Sequence, residues 1–171
     1  MKFRGLSLAI GLFFGAAATA AAFNIHTIMP HQPGRTADWV KRMSVEDYGR
    51  QRVIYHIDQR AGLFSGHFRH ILQIAQNHVD AVGADKLDLR IILQGDGVDF
   101  LSWARDNPQA QAKIDNLKRE GVKFQVCRNT LLARGIDPDR ELYGVKQTDI
   151  VRAAVGEIAS LEQQGFQYIK P

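Results

Sequence analysis

Cysteine has a wide chemical reach for its size, and the chain has one, Cys127. It stands in the stretch VKFQVCRNTLLARG, residues 122–135. Val122, Phe124 and Val126 alternate with Lys123 and Gln125, the period of two that marks a strand. Past Cys127 the pattern changes. Asn129 and Thr130 are capping types, Leu131 and Leu132 can face a core, and Gly135 can stop a short helix. Cys127 is therefore expected where a buried strand hands over to a helix start. In open parallel α/β sheets that edge carries the ligand crevice, and a helix start favours negative charge. With Arg128 beside it, such a thiol should hold its thiolate more readily than a free cysteine of pKa ~8.5. Two readings stay open: a reactive nucleophile, or a small buried hydrophobe.

Residues able to join Cys127 sit after the two preceding strands. His56 and Asp58 follow the first strand, and Gln94, Gly95 and Gly97 follow the second. In a parallel sheet these positions share one edge with Cys127, Asn129 and Thr130. His56 can serve as a base or hydrogen-bond partner, or be a central-strand histidine satisfied by its neighbours. Gln94 and Asn129 can donate to a bound anion, or be ordinary caps. Gly95 and Gly97 permit a close backbone approach to a ligand, or make a plain tight turn. With no third glycine and no Walker lysine they form no nucleotide fingerprint. No metal-ligand spacing involves Cys127, so no metal and no cofactor is expected.

The elements that position these residues follow from periodicity. The run RVIYHI, residues 52–57, fits a central strand buried on both faces. From Phe64, apolar residues recur at Phe68, Ile71, Leu72, Ala75, Val79 and Val82, a helical stripe that Gly83 ends. His67, His70 and His78 lie off that stripe, on a face for solvent or a neighbouring subunit. Leu87–Leu93 forms the second strand, and Val98–Trp103 a short helix. Asn107 before Pro108 signals another helix start, with Ala110, Ile114 and Leu117 inward and Gly121 at the end. After Gly135 comes a connector carrying Asp137 and Pro138, then an expected fourth strand at Tyr143–Gln147. Thr148 or Asp149 is expected to cap a last helix with Val151, Ala154, Val155, Ile158 and Leu161 inward, before a final strand at Phe166–Ile169. Such alternation predicts an α/β fold, a three-layer α/β/α sandwich on a mostly parallel five-stranded sheet.

Ahead of this body, residues 1–22 have the pattern of a signal peptide. Lys2 and Arg4 precede an apolar run from Leu6 to Phe14, and small residues Ala16–Ala22 offer cleavage sites before Phe23 or after Ala20. An uncleaved anchor is the other reading, but the apolar run is shorter than the ~20 residues of a typical span. We expect export, to the periplasm, with no stable membrane insertion after cleavage. Residues 23–50 form an arm broken by Pro30, Pro33 and Gly34, where Thr36 can cap a turn that brings Trp39 and Met43 together. His26 and His31 in that arm are read as solvated loop histidines. Loss of the leader lowers the formal charge of +4 by two, and no basic run interleaves with aromatics, so no nucleic-acid partner is expected. One cysteine cannot close an intramolecular disulfide.

The succession VIYHID, IAQNHVDAVGADKLDLRIILQGDGV, NLKREGVKFQVCRNTLLARGID and GVKQTDIVRAAVGEIASLEQQGFQYIKP resembles the DsrE/DsrF-like family, with its YchN-like sulfur-relay fold. The likeness spans residues 51–171. It implies a flavodoxin-like subunit that assembles into dimers, trimers or hexamers. It also implies that Cys127 occupies the position of a cysteine that carries sulfane sulfur as a persulfide. Such a carrier, sulfurtransferase-like and cofactor-free, exchanges sulfur with thiol or persulfide partner proteins. The alternatives are a non-catalytic oligomeric module that binds a small ligand, and a thiol redox sensor.

Overall fold

The structure, a computed structural model, describes residues 36–43, 46–62 and 65–171. The expected leader, its cleavage site, and His26 and His31 lie outside the described residues. The chain divides into two units, residues 1–43 and 44–171. In the first, helix α1 (Asp38–Lys41) is capped at Ala37, not Thr36, and Met43 lies beyond its end.

The second unit runs β1 (Gln51–Ile57), α2 (Gly66–Val82), β2 (Leu87–Leu93), α3 (Asp99–Arg105), α4 (Pro108–Arg119), β3 (Lys123–Cys127), α5 (Arg128–Arg134), α6 (Pro138–Glu141), β4 (Ile150–Val151), α7 (Ala154–Gln163) and β5 (Gln167–Ile169). The strands form one parallel sheet in the order β4-β3-β2-β1-β5. Four strands thus step outward in one direction, and the chain then returns across them to lay β5 beside β1. Right-handed crossovers in opposite directions place their helices on opposite faces. One face accordingly packs Val53, Tyr55, Leu89, Ile91, Phe124 and Val126 against α2, α3 and α4. The other packs Ile54, Ile92 and Cys127 against Ala154, Ile158 and Leu161 of α7 and against Phe166. This is the expected three-layer sandwich.

Local signals account for most boundaries. The α2 stripe from Phe68 to Val82 is buried as its spacing requires. Asn107 accepts from the Ala110 N–H at 3.0 Å ahead of Pro108, a cap worth about 1 kcal/mol. Phe68 meets Phe100 edge to face at 5.3 Å in the larger core.

The fourth strand and the last helix differ from expectation. Residues 143–147 form no strand; the pairing with β3 comes at Ile150 and Val151, opposite Val126 and Cys127. Asp149 does not cap α7. Its carboxylate accepts from the Lys146 N–H at 2.9 Å and closes a 3-10 turn, Gln147–Asp149. The helix therefore starts later, after Ala153, which gives it no side-chain cap. Val151 becomes a strand residue, and Val155 is 63% exposed instead of inward.

His78, expected on a face for solvent or a neighbouring subunit, is half-buried and bonded within its own chain. Its Nδ1 accepts from the Tyr55 hydroxyl at 2.9 Å, and its Nε2–H donates to Gln51 Oε1 at 2.7 Å. Burial pushes the ring's pKa below its ordinary value, so the fold holds it neutral. The unfolded chain then takes up this proton first as acid is added. Stability from this site is full above a free histidine's pKa of about 6.5 and is lost as pH falls below it toward the folded value. Urea unfolding at a series of pH values should show a shallower acid loss for His78→Gln than for the unsubstituted chain.

Candidate functional site

Because the sheet is parallel, the C-terminal ends of its strands line one edge. Side-chain alternation puts His56, Gln94 and Cys127 on the α7 side of it. Leu93 pairs with Val126, so Gln94 falls opposite Cys127, and His56 stands one strand further on, beside Ile92. His56 and Cys127 are thus two strand spacings and two residues of rise apart, roughly 12 Å. The edge assembles the expected residues without placing His56 against the sulfur as its base.

Cys127 is the last residue of β3 and the N-cap of α5. Its thiol is free and only 3% exposed. Burial is the largest single influence on its acidity and acts to raise the pKa. Opposing it are four donors: the Ala154 N–H, the N–H and hydroxyl of Thr130, and the Asn129 N–H, and together they bring the thiol below its ordinary value. The Ala154 nitrogen lies 3.4 Å from Sγ. These backbone donors belong to the first turns of α5 and α7, where N–H groups have no partner within their own helix. Such a set suits a thiolate or another anionic sulfur.

A second layer holds these donors in place. The Thr130 hydroxyl accepts from the Gly95 N–H at 3.0 Å, tying the turn after β2 to α5. Arg134 donates to the Gly95 carbonyl at 2.9 Å and to Asp99 at 2.6 Å. Both backbone polar groups of Gly95 are therefore taken by α5, at φ +55°. Gly97 is buried, and a Cβ there would run into the Ile57 carbonyl. The two glycines build the turn that anchors Thr130, and Gly97 has no face open to a ligand. Asn129 contributes its backbone N–H, while its exposed side chain makes no hydrogen bond to another described residue.

His56 and Gln94 do meet. A Gln carbonyl oxygen only accepts, so His56 Nε2–H donates to Gln94 Oε1 at 3.3 Å, and Nδ1 accepts from the Tyr168 hydroxyl at 2.9 Å. Beside them the Lys170 ammonium, 2.9 Å from Asp58, holds that carboxyl below the usual carboxylate range.

Thr130 and Ala154 donate to the Cys127 sulfur, a role that residue types alone did not assign to them. Thr130 is the buried polar side chain of this edge and looked like a cap. Ala154 acts through its N–H alone and leaves no mark of residue type. The available clue was a pair of small residues, Ala153 and Ala154, opening a helix after a short strand. Beside α5 an open groove of about 560 Å³ is lined by Arg128, Leu132, Pro138 and Ile150, with Cys127 outside its lining. Among the described residues no cluster of His, Cys, Asp and Glu could hold a metal ion. No helix among them is long and apolar enough to cross a membrane.

The sequence model of the DsrE/DsrF-like family matches residues 61–171. Among solved structures, the chain is similar to the protein of unknown function MTH1491 from Methanobacterium thermoautotrophicum. The two are 29% identical with a TM-score of 0.58, over 71% of this chain and 99% of that one. No curated protein matches the chain.

Two substitutions test this geometry. Thr130→Val keeps the volume and removes a donor from the sulfur, so native-state alkylation of Cys127 at neutral pH should slow roughly tenfold, one charge-assisted hydrogen bond of about 1.5 kcal/mol. Its rate-against-pH curve should move to higher pH. Gly97→Ala should cost about 1–3 kcal/mol in urea unfolding, because the carbonyl it strikes belongs to the central strand.

Proposed function

The chain belongs to the DsrE/DsrF-like family, which is associated with sulfur relay, and from that premise we propose that it carries sulfane sulfur as a persulfide on Cys127. The observation that supports this reading most is the convergence of donors from two helix starts on one sulfur, enough to lower its pKa against burial. In the loading step the Cys127 thiolate attacks the outer sulfur of a donor persulfide, R–S–SH. A sulfur–sulfur bond forms at Cys127 as the donor's bond breaks, and the donor leaves as the thiolate R–S⁻. In the unloading step an acceptor thiolate attacks the outer sulfur in the same way and regenerates the Cys127 thiolate. Sulfane sulfur moves with no net oxidation, and neither step calls for a metal or a cofactor.

The finer parts of the reading rest on the sequence. The leader-like residues 1–22 support export to the periplasm, and the resemblance supports a YchN-like subunit in a dimer, trimer or hexamer. Thiol or persulfide proteins are the proposed donor and acceptor.

A second reading, an assembly module without chemistry, draws support from the 3% exposure of Cys127 and from the exposed apolar residues Leu132, Val155 and Tyr168. Mass spectrometry separates the two. Treatment with a persulfide donor should add one sulfur to the native protein and none to Cys127→Ser. An unmodified mass, under conditions that load a control carrier, decides for the assembly module.

A further inference from the structure

The Gln94 amide has two ends, and one of them is committed. His56 holds the carbonyl oxygen, and Tyr168 fixes the ring that does so. Gln94 is half-buried, and its NH2 group is engaged by no other described residue. Gln94 also stands directly across from Cys127, on the same face, one strand spacing of about 4.8 Å away. It does not touch Sγ, whose donors are those of Thr130, Asn129 and Ala154. An uncommitted donor on the residue across from Cys127 is within a side chain's reach of an atom attached to that sulfur. Arg128, next to Cys127, and Arg152, next to the paired residue Val151, are exposed and without a partner among the described residues. Both add positive charge to this end of the sheet.

We propose that Gln94 binds the negative end of the sulfur species that occupies Cys127, through its amide NH2, with His56 and Tyr168 as the positioning residues that keep the amide turned that way. Without the His56 Nε2–H, the amide is free to rotate and present its oxygen, which repels an anion. The ligand class is an anionic group one bond beyond Sγ, such as the outer sulfur of a persulfide. The inference rests on the persulfide reading for its physiological ligand, while the site itself can be probed without any sulfur donor.

The probe is a pair of alkylating reagents of similar size, iodoacetate, which carries a carboxylate, and iodoacetamide, which is neutral. Both react with the same thiolate through the same opening, so the ratio of their rates cancels thiolate fraction and burial. It reports the preference for negative charge just beyond the sulfur, and with one cysteine the site of reaction is unambiguous. For the full chain in its native state, Gln94→Met should lower the iodoacetate-to-iodoacetamide ratio roughly tenfold, the loss of one hydrogen bond to a charged group. Tyr168→Phe and His56→Phe should lower it in the same direction by less. Combining Tyr168→Phe with Gln94→Met should add nothing to Gln94→Met alone. Tyr168 is 42% exposed, so its substitution leaves the core intact.

An unchanged ratio in Gln94→Met, in a protein that still loads sulfur, overturns the inference and spares the persulfide reading. A lowered ratio in a protein that never loads sulfur does the reverse. A ratio moved by Gln94→Met but by neither aromatic substitution removes the positioning roles. Native protein inert to both reagents overturns the inference, while the sulfur-loading mass decides the persulfide reading.

Discussion

A buried sulfur can carry charge only if something replaces water around it, and here the replacement is backbone N–H groups at helix starts. Charge buried without partners is costly, and an unassisted buried thiol stays protonated. The fold supplies the partners by topology. The chain walks outward from β1 to β4 and then returns, so α7 begins on the face of the sheet that Cys127 occupies. Its first turn meets the first turn of α5 at the sulfur. Neither helix alone brings this many donors to the sulfur. The site exists because the crossover direction reverses after β4.

The donors must also stay where they are, and small residues do much of that work. Gly97 lets the turn after β2 settle onto the Ile57 carbonyl, and Gly95 faces α5 with both of its backbone groups. Thr130 joins the two sides, accepting from Gly95 while donating to Cys127. A stiff donor set lowers the thiol's pKa because it loses little freedom when charge appears. The same stiffness gives Gly95 and Gly97 a supporting place around the sulfur.

Most of the fold was legible because its signals are local. Strand alternation, the α2 stripe and the Asn107-Pro108 start each depend on a few adjacent residues and on burial that follows from their spacing. The placement of Cys127 at a strand-to-helix junction was equally readable. The β4 region failed because its local signals pointed the wrong way. Tyr143, Val145 and Gly144 look like a strand between turns, yet the pairing falls at Ile150 and Val151, set by where β3 ends. That is a tertiary constraint with no trace in local pattern. Asp149 has the chemistry of a helix cap but spends its carboxylate on Lys146. Thr130 and Ala154 escaped for a related reason: one role needs a neighbour 35 residues away, and the other uses an N–H that every residue but proline has.

The burial of Cys127 bears on both functional readings, and so do the donors around it. A cysteine kept only for packing is a small hydrophobe whose sulfur is a weak acceptor, and an apolar setting raises its pKa. Such a residue would gain little from the donors that surround this one, and Val or Ala would fill the space among Ile54, Ile92 and Ile158 as well. Donors aimed at a neutral thiol would be poorly satisfied, a cost that folded proteins avoid. Aimed at an anion they are well matched, and the balance tips below the ordinary pKa in spite of burial. The geometry thus fits a sulfur that spends time charged. Its thin exposure then limits which reactant atoms arrive, and only the leading atom of a donor or acceptor need pass.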